Sequence, residues 1–308
     1  MAARCGRFCA PFLIGRAMVP QSARKGLGFA LLAVTIFAAQ DGVSKHLAES
    51  YPPVFVVMIR YWAFAAFVVV RALNAPGGIA RAAASANVWL QLARGGLLAA
   101  QVVVAITAFA KVGLAATMSL FAANPLILAA LSVPVLGEAV GWRRWTAIGV
   151  GFVGVLIIVR PGPGLLDSDI WLAVVASIGI AVYGVMTRLA SRRDSAMVSF
   201  FYTGVGGLIV ATAAGIWHWT WLAPVDWIWM GILCVTGAAG HFFFIKALEA
   251  ADAVVTQPVQ YVQIVLSTSV GILVFGEALD WPMALGATIV IAAGLFTAWR
   301  DWVRSRSA

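Results

Sequence analysis

The sequence predicts an all-α, polytopic membrane protein of ten transmembrane helices, arranged as two inverted five-helix repeats with both termini cytoplasmic. Three observations carry this. Of 308 residues, 62% are hydrophobic and only 11% are charged; a soluble domain carries about a quarter charged residues, so lipid must solvate most of this surface. Apolar stretches near the roughly 20 residues that a membrane helix needs recur ten times along the chain. The second half also repeats the first at a nearly constant offset.

The first 25 residues contain Arg4, Arg7, Arg16, Arg24 and Lys25. Their apolar run, Ala10 to Gly15, is interrupted by Pro11 and is shorter than the roughly 7–15-residue core of a signal peptide. Residues 1–25 therefore read as a basic cytoplasmic tail, with Met18 as an alternative start. Apolar segments 1 to 5 follow at 26–45, 54–71, 92–110, 114–136 and 142–160, inside a first unit of 26–160. Segments 6 to 10 fall at 169–188, 196–216, 227–247, 252–275 and 281–299, inside a second unit of 166–300, before a short cytoplasmic tail, 301–308. Turn formers punctuate the breaks, as at Pro52-Pro53 and Pro161-Gly162-Pro163-Gly164. Pro125, Pro134 and Pro258 lie inside apolar segments, where membrane helices tolerate them as kinks.

Charge gives the orientation. With the N-terminus inside, the outer ends hold Lys45, Lys111 and Arg160 and segment 2 holds Arg60, while every other Lys and Arg falls in inner loops, tails or inner segment ends. Five tryptophans between Trp217 and Trp229 flank an outer loop free of Lys and Arg, as headgroup-level rings do. The net charge of +9 belongs to these short loops, so nucleic acid is excluded as a partner. Cys5, Cys9 and Cys234 give neither a disulfide framework nor metal spacing.

The repeat is explicit. Leu136-Gly137-Glu138-Ala139 with Trp142 matches Phe275-Gly276-Glu277-Ala278 with Trp281 at an offset of 139, and Gly42 to Ala48 matches Gly184 to Ala190 at an offset of 142. Five helices per unit is an odd number, so the second copy enters from the opposite side. Such inverted repeats place a binding site near the midplane and alternate access to it by rocking. The Leu-Gly-Glu turn, the tryptophan that opens the next segment, and their second copy resemble the EamA repeat of the drug/metabolite transporter superfamily. The resemblance covers residues 26–300 and implies a bacterial inner-membrane transporter with a central cavity lined by segments 1, 3, 4, 6, 8 and 9. Many members carry Trp-Gly-Ser/Asn in segment 1, whereas this chain has Ala39-Gln40-Asp41-Gly42-Val43-Ser44-Lys45 and, in segment 2, Arg60-Tyr61. That variant is similar to a branch with proposed riboflavin and S-adenosylmethionine carriers. It implies import of a riboflavin-like or other cofactor-like compound, with export of amino acids or toxic metabolites as the alternative.

The candidate site residues are polar groups at membrane depth, where a charge costs about 2.5–3.5 kcal/mol and needs a partner, water or a task. Asp41, Lys45 and Arg60 are read as gating or coupling residues; the plainer alternative is an Asp41–Arg60 or Asp41–Lys45 pair that locks segments 1 and 2. His241 in segment 8 could bind substrate or relay a proton. Thr256, Gln260, Gln263 and Ser267 recur at spacings of four, three and four on one face of segment 9, with Gln257 and Tyr261 beside them. The repeat relates Gln263 to Asn124, and Asp41 to Tyr183, so Asn124 and Tyr183 join the substrate-binding set. Glu138 and Glu277 are assigned to capping the helix that follows each. Gly149, Gly151, Gly154, Gly204, Gly206 and Gly207 are assigned to close helix packing. No phosphate-binding loop, metal-ligand pattern or nucleophile motif is present, so no cofactor or metal is expected. An intramembrane enzyme would rest on Asp41 and His241 alone. The expected partners are a small-molecule substrate and the lipid bilayer, with the protein a monomer or homodimer.

Overall fold

A computed structural model describes residues 21–137, 141–160, 169–250 and 259–305. Of the residues singled out above, Glu138, Thr256, Gln257, Pro258 and the start of the basic tail lie outside these ranges. Among the described residues the chain is helical, without strands: α1 (Gln21–Ser50), α2 (Pro53–Leu73), a short α3 (Gly78–Ala82), α4 (Val88–Lys111), α5 (Leu114–Phe121), α6 (Asn124–Leu136), α7 (Trp142–Val159), α8 (Ile170–Ser191), α9 (Ala196–Gly215), α10 (Pro224–Ala250), α11 (Val259–Phe275) and α12 (Trp281–Ser305).

Local chemistry sets several boundaries. Asn87 caps α4 by accepting the Leu90 N–H, and Ser195 caps α9 by accepting that of Val198. Proline stands in the first turn of α2, where a missing N–H costs nothing. Gly137 and Gly276 close α6 and α11 at φ 68° and 66°, a left-handed conformation that glycine adopts without steric penalty.

Among the described residues, eight helical stretches are long and apolar enough to cross a membrane, with α5 and α6 forming one of them, and two shorter apolar helices, Trp145–Val159 and Val259–Phe275, stand at the other two segments. Large apolar side chains face outward along them, such as Phe152 at 60% exposure and Leu273 at 81%. Water would penalise such a surface; lipid does not, and the chain is a multi-pass membrane protein. Segment 4 departs from the sequence reading. It is not one helix but two, α5 and α6, broken at Ala122–Ala123. Pro125, the second residue of α6, has no N–H to give and its ring crowds the carbonyl four residues back, that of Phe121. Pro134, by contrast, is carried inside α6.

Helix packing follows an exchange rule between the repeats. α2 packs on α9, its equivalent, as α7 does on α12 and α5 on α11. α1 packs on α10 and α11, and correspondingly α8 packs on α4 and on α6. The third long helix of each repeat thus crosses over: α4 lies mainly against α8 and α9, and α10 against α1 and α2. Glycine makes these approaches close. A Cβ at Gly206 would sit 2.7 Å from the Leu92 carbonyl oxygen, and one at Gly154 would sit 2.8 Å from that of Gly286. Gly149 does not share this role, because nothing lies within 4 Å of its Cβ position.

Candidate functional site

A cavity of about 440 Å³ opens between the repeats, within the roughly 300–1,000 Å³ usual for small-molecule sites. First-repeat helices α1, α2, α4, α5 and α6 and second-repeat helices α8, α10, α11 and α12 all contribute to its wall. The break between α5 and α6 brings Asn124 and Pro125 to this wall.

Asp41 on α1 faces α11, where its Oδ2 accepts hydrogen bonds from Ser267 Oγ at 2.8 Å and Gln263 Nε2 at 3.2 Å. Gln263 and Ser267 therefore bind helix to helix, while Gln260, one turn away, lines the cavity without a hydrogen-bond partner among the described residues. His241 also lines the cavity, its ring stacked edge-on against Phe37 at 5.2 Å and tilted against Phe64 at 5.0 Å. Asn124 Oδ1 accepts a 2.5 Å hydrogen bond from Ser177 Oγ, joining α6 to α8. Among the described residues, three buried side-chain polar atoms lack a hydrogen-bond partner, Gln40 Oε1, Gln101 Oε1 and Tyr261 Oη, and all three belong to cavity-lining residues. Orphaned polar atoms are rare in native interiors, and a site that takes water or ligand explains their gathering here.

Of the sequence-derived set, Asp41, Arg60, Asn124, His241, Gln260, Tyr261 and Gln263 meet at this cavity. Tyr183 and Lys45 do not. Tyr183 faces α4 instead, where its hydroxyl accepts from Arg94 Nη1 at 2.9 Å. The offset that paired it with Asp41 preserved helix position but not rotation. Lys45 pairs neither with Asp41 nor through it with Arg60: its ammonium is bonded to Glu277, 3.6 Å from Glu49 and 4.4 Å from the centre of the Phe275 ring. Asp41 and Arg60 likewise form no ion pair, so neither locking pair weighed from sequence exists.

Glu277 corrects a second expectation. Rather than capping its own next helix, it accepts the N–H groups of Leu114 at 2.7 Å and Ala115 at 2.6 Å, capping α5 of the other repeat. Burial pushes the Glu277 carboxyl up, but the Lys45 ammonium and the two N–H groups outweigh it and hold it below the usual range. Lys111–Asp169 at 3.2 Å, Arg160–Asp280 and His46–Asp226 at 3.5 Å also join repeat to repeat at this end.

The sequence reading missed Arg94. Counted there as a loop cation, it is 1% exposed and bonds Gln91, Tyr183, Thr187, Thr203 and the Ser199 carbonyl, so it pins α4 to α8 and α9. The signal was legible: Gln91 and Arg94 share a face within an apolar run. Nearby, Asp194 accepts from Ser85, the Ala86 N–H and Gln91.

The relatives fit this geometry. The S-adenosylmethionine uptake transporter of Rickettsia prowazekii is 28% identical over 177 residues, 56% of this chain and 59% of its own length. The chain thus spans less than two thirds of that relative. The riboflavin transporter of Brucella anthropi is 29% identical over 265 residues, 82% of this chain and 91% of its own. A solved crystal structure shares the fold, with a TM-score of 0.61 at 15% identity over 93% of this chain and 99% of that one. The sequence profile of the EamA-like transporter family matches residues 24–160 and 168–299, one match per repeat, and the chain belongs to that family of transporters rather than to an enzyme family.

Proposed function

We propose that this protein is a secondary transporter that carries a small organic metabolite across the bacterial cytoplasmic membrane by alternating access. The observation that carries the proposal is the cavity between the repeats, with unpartnered polar atoms in a wall that mixes polar groups with apolar and aromatic side chains. Asn124, His241, Gln260, Tyr261 and Gln263 would hold the substrate, and Gln257, outside the described residues, stays in the set on the sequence alone. Asp41 would couple or gate. The two repeats are inverted and both termini are cytoplasmic, as the positive charges favour.

The end that holds Lys45, Lys111 and Arg160 is then the outer end. The cross-repeat bonds of Glu277, Asp169 and Asp280 would hold it shut. Import of a cofactor-like compound is preferred, because similar proteins are named as S-adenosylmethionine uptake and riboflavin transporters. Uptake into proteoliposomes tests the reading: Gln260→Leu and His241→Ala should each abolish transport in protein that still elutes as a folded species. Wild-type uptake in both would sink this site. Orientation has its own test, since a cysteine at the exposed Ala223 should react with an impermeant reagent added outside cells, and protection there would reverse it.

A further inference from the structure

Arg60 and Arg94 of the first repeat both sit inside membrane spans, and the protein treats them differently. Arg94 has every guanidinium nitrogen bonded to protein acceptors, as described above. Arg60, in the middle of α2, is half-buried on the cavity wall and makes no hydrogen bond or ion pair with any described residue. Arginine keeps its charge and offers five N–H donors in a planar fork. A cation at this depth without protein acceptors needs water or a ligand to supply them.

Its surroundings narrow the ligand. Arg60 Nε and the orphaned Gln40 Oε1 both border Gly237, where they stand 3.5 and 3.3 Å from the position a Cβ would take. Among the described residues, Asp41 is the carboxylate of the wall, and its Oδ2 is taken by Gln263 and Ser267 while Oδ1 has no donor among them. The other cation of the wall, Arg188, donates to Ser132 Oγ at 3.4 Å. Among the described residues of the wall, the cation without a protein acceptor is therefore Arg60. Phe37, Phe64, Phe109 and Phe121 supply the apolar remainder. A planar monoanion matches the guanidinium fork in two parallel hydrogen bonds. The nearby Asp41 charge disfavours a dianionic phosphate.

We infer that Arg60 receives a carboxylate of the transported molecule, so that the cargo is an organic carboxylate with a flat apolar part and a donor group within reach of Asp41 Oδ1 and Gln40 Oε1. The inference rests on the transport reading of this cavity and separates the two compound types named among the relatives. S-adenosylmethionine has a carboxylate and riboflavin has none.

The experiment measures saturable uptake by full-length protein in proteoliposomes. The probes are S-adenosylmethionine against its decarboxylated form, tryptophan against tryptamine, and riboflavin against flavin mononucleotide. The wild type should favour a carboxylate over its decarboxylated partner by at least about tenfold, as a charge-assisted bidentate contact implies. Arg60→Met should erase that preference, and Arg60→Lys should keep part of it with a raised KM. Thermal unfolding of each variant checks folding, and if Arg60→Met does not fold, the KM of Arg60→Lys carries the test. A preference unchanged in the variants overturns the role of Arg60. Uptake of riboflavin or flavin mononucleotide ahead of both carboxylates overturns the cargo class and leaves transport standing. Saturable uptake of none of the six overturns both readings.

Discussion

Individual side chains in this protein divide by whether their hydrogen bonds are spent on other helices or left facing the cavity. Arg94 is the clearest of the first kind. Its removal in Arg94→Met strands Gln91 Oε1 and takes the donor from the Tyr183 hydroxyl, whereas the Ser199 carbonyl keeps Thr203 Oγ1 and Thr187 keeps the Tyr183 carbonyl. A loss of about 2–3 kcal/mol is expected, read as a lower melting temperature in detergent. Tyr183→Phe should cost about 1 kcal/mol and leave uptake unchanged, because that hydroxyl serves Arg94 and not the cavity. Glu277 adds a pH dependence with a definite sign. Its carboxyl is held below the ordinary value, so its contribution to stability is present above the unfolded carboxylate pKa of about 4.3 and fades as pH falls through the folded value. Melting temperatures of wild type and Glu277→Gln should therefore differ at pH 7 and converge as pH falls below the unfolded carboxylate value. A gap that widened in acid would contradict this sign.

At the scale of elements, the informative departures are a break and a crossing. The sequence shows an unbroken apolar run over 114–136, but Pro125 divides it into α5 and α6 and sets Asn124 on the cavity wall. Discontinuous membrane helices are a common way to build a midplane site. The α4–α9 contact depends on backbone approaching backbone at Gly95 and Gly206. A side chain at position 206 has no flexible neighbour to displace. Gly206→Val should destabilise by about 1–3 kcal/mol, whereas Gly149→Ala, with open space around it, should be close to neutral in the same melt.

At the scale of the whole molecule, the exchange of α4 and α10 means that a moving body does not coincide with a sequence repeat. Each repeat lends its third long helix to the other. The cross-repeat ion pairs at one end mark where separation would have to begin. In a background without other cysteines, Lys111→Cys with Asp169→Cys should be bridged by a reducible bifunctional thiol reagent, whose length replaces the reach of the two side chains that meet at 3.2 Å. The cross-link should stop uptake, and a reductant should restore it; full uptake by fully cross-linked protein would show that this end does not open. The sequence allowed much of the cavity to be named. Asp41, Arg60, His241 and the glutamines were conspicuous as polar residues in an apolar background, where each must have a reason. Gln40, Gln101 and the aromatic wall were not, because a glutamine or phenylalanine facing a cavity looks in sequence like one facing another helix.

What the sequence determined by itself is the fold class: the composition demands lipid, the run lengths set the number of segments, and the duplicated Gly-Glu turns reveal two units. These properties are summed along the chain, so a linear text contains them. Only the tertiary structure decided the pairings. Lys45 had Asp41 four residues away on its own helix, yet it bonds Glu277, more than two hundred residues on, and Asp41 turns to Gln263 and Ser267. Periodicity gives the face of a helix, but the rotation of each helix against its neighbours is set by packing. That rotation removed Tyr183 from the cavity, committed Arg94 to protein, and left Arg60 facing the space where a ligand would sit.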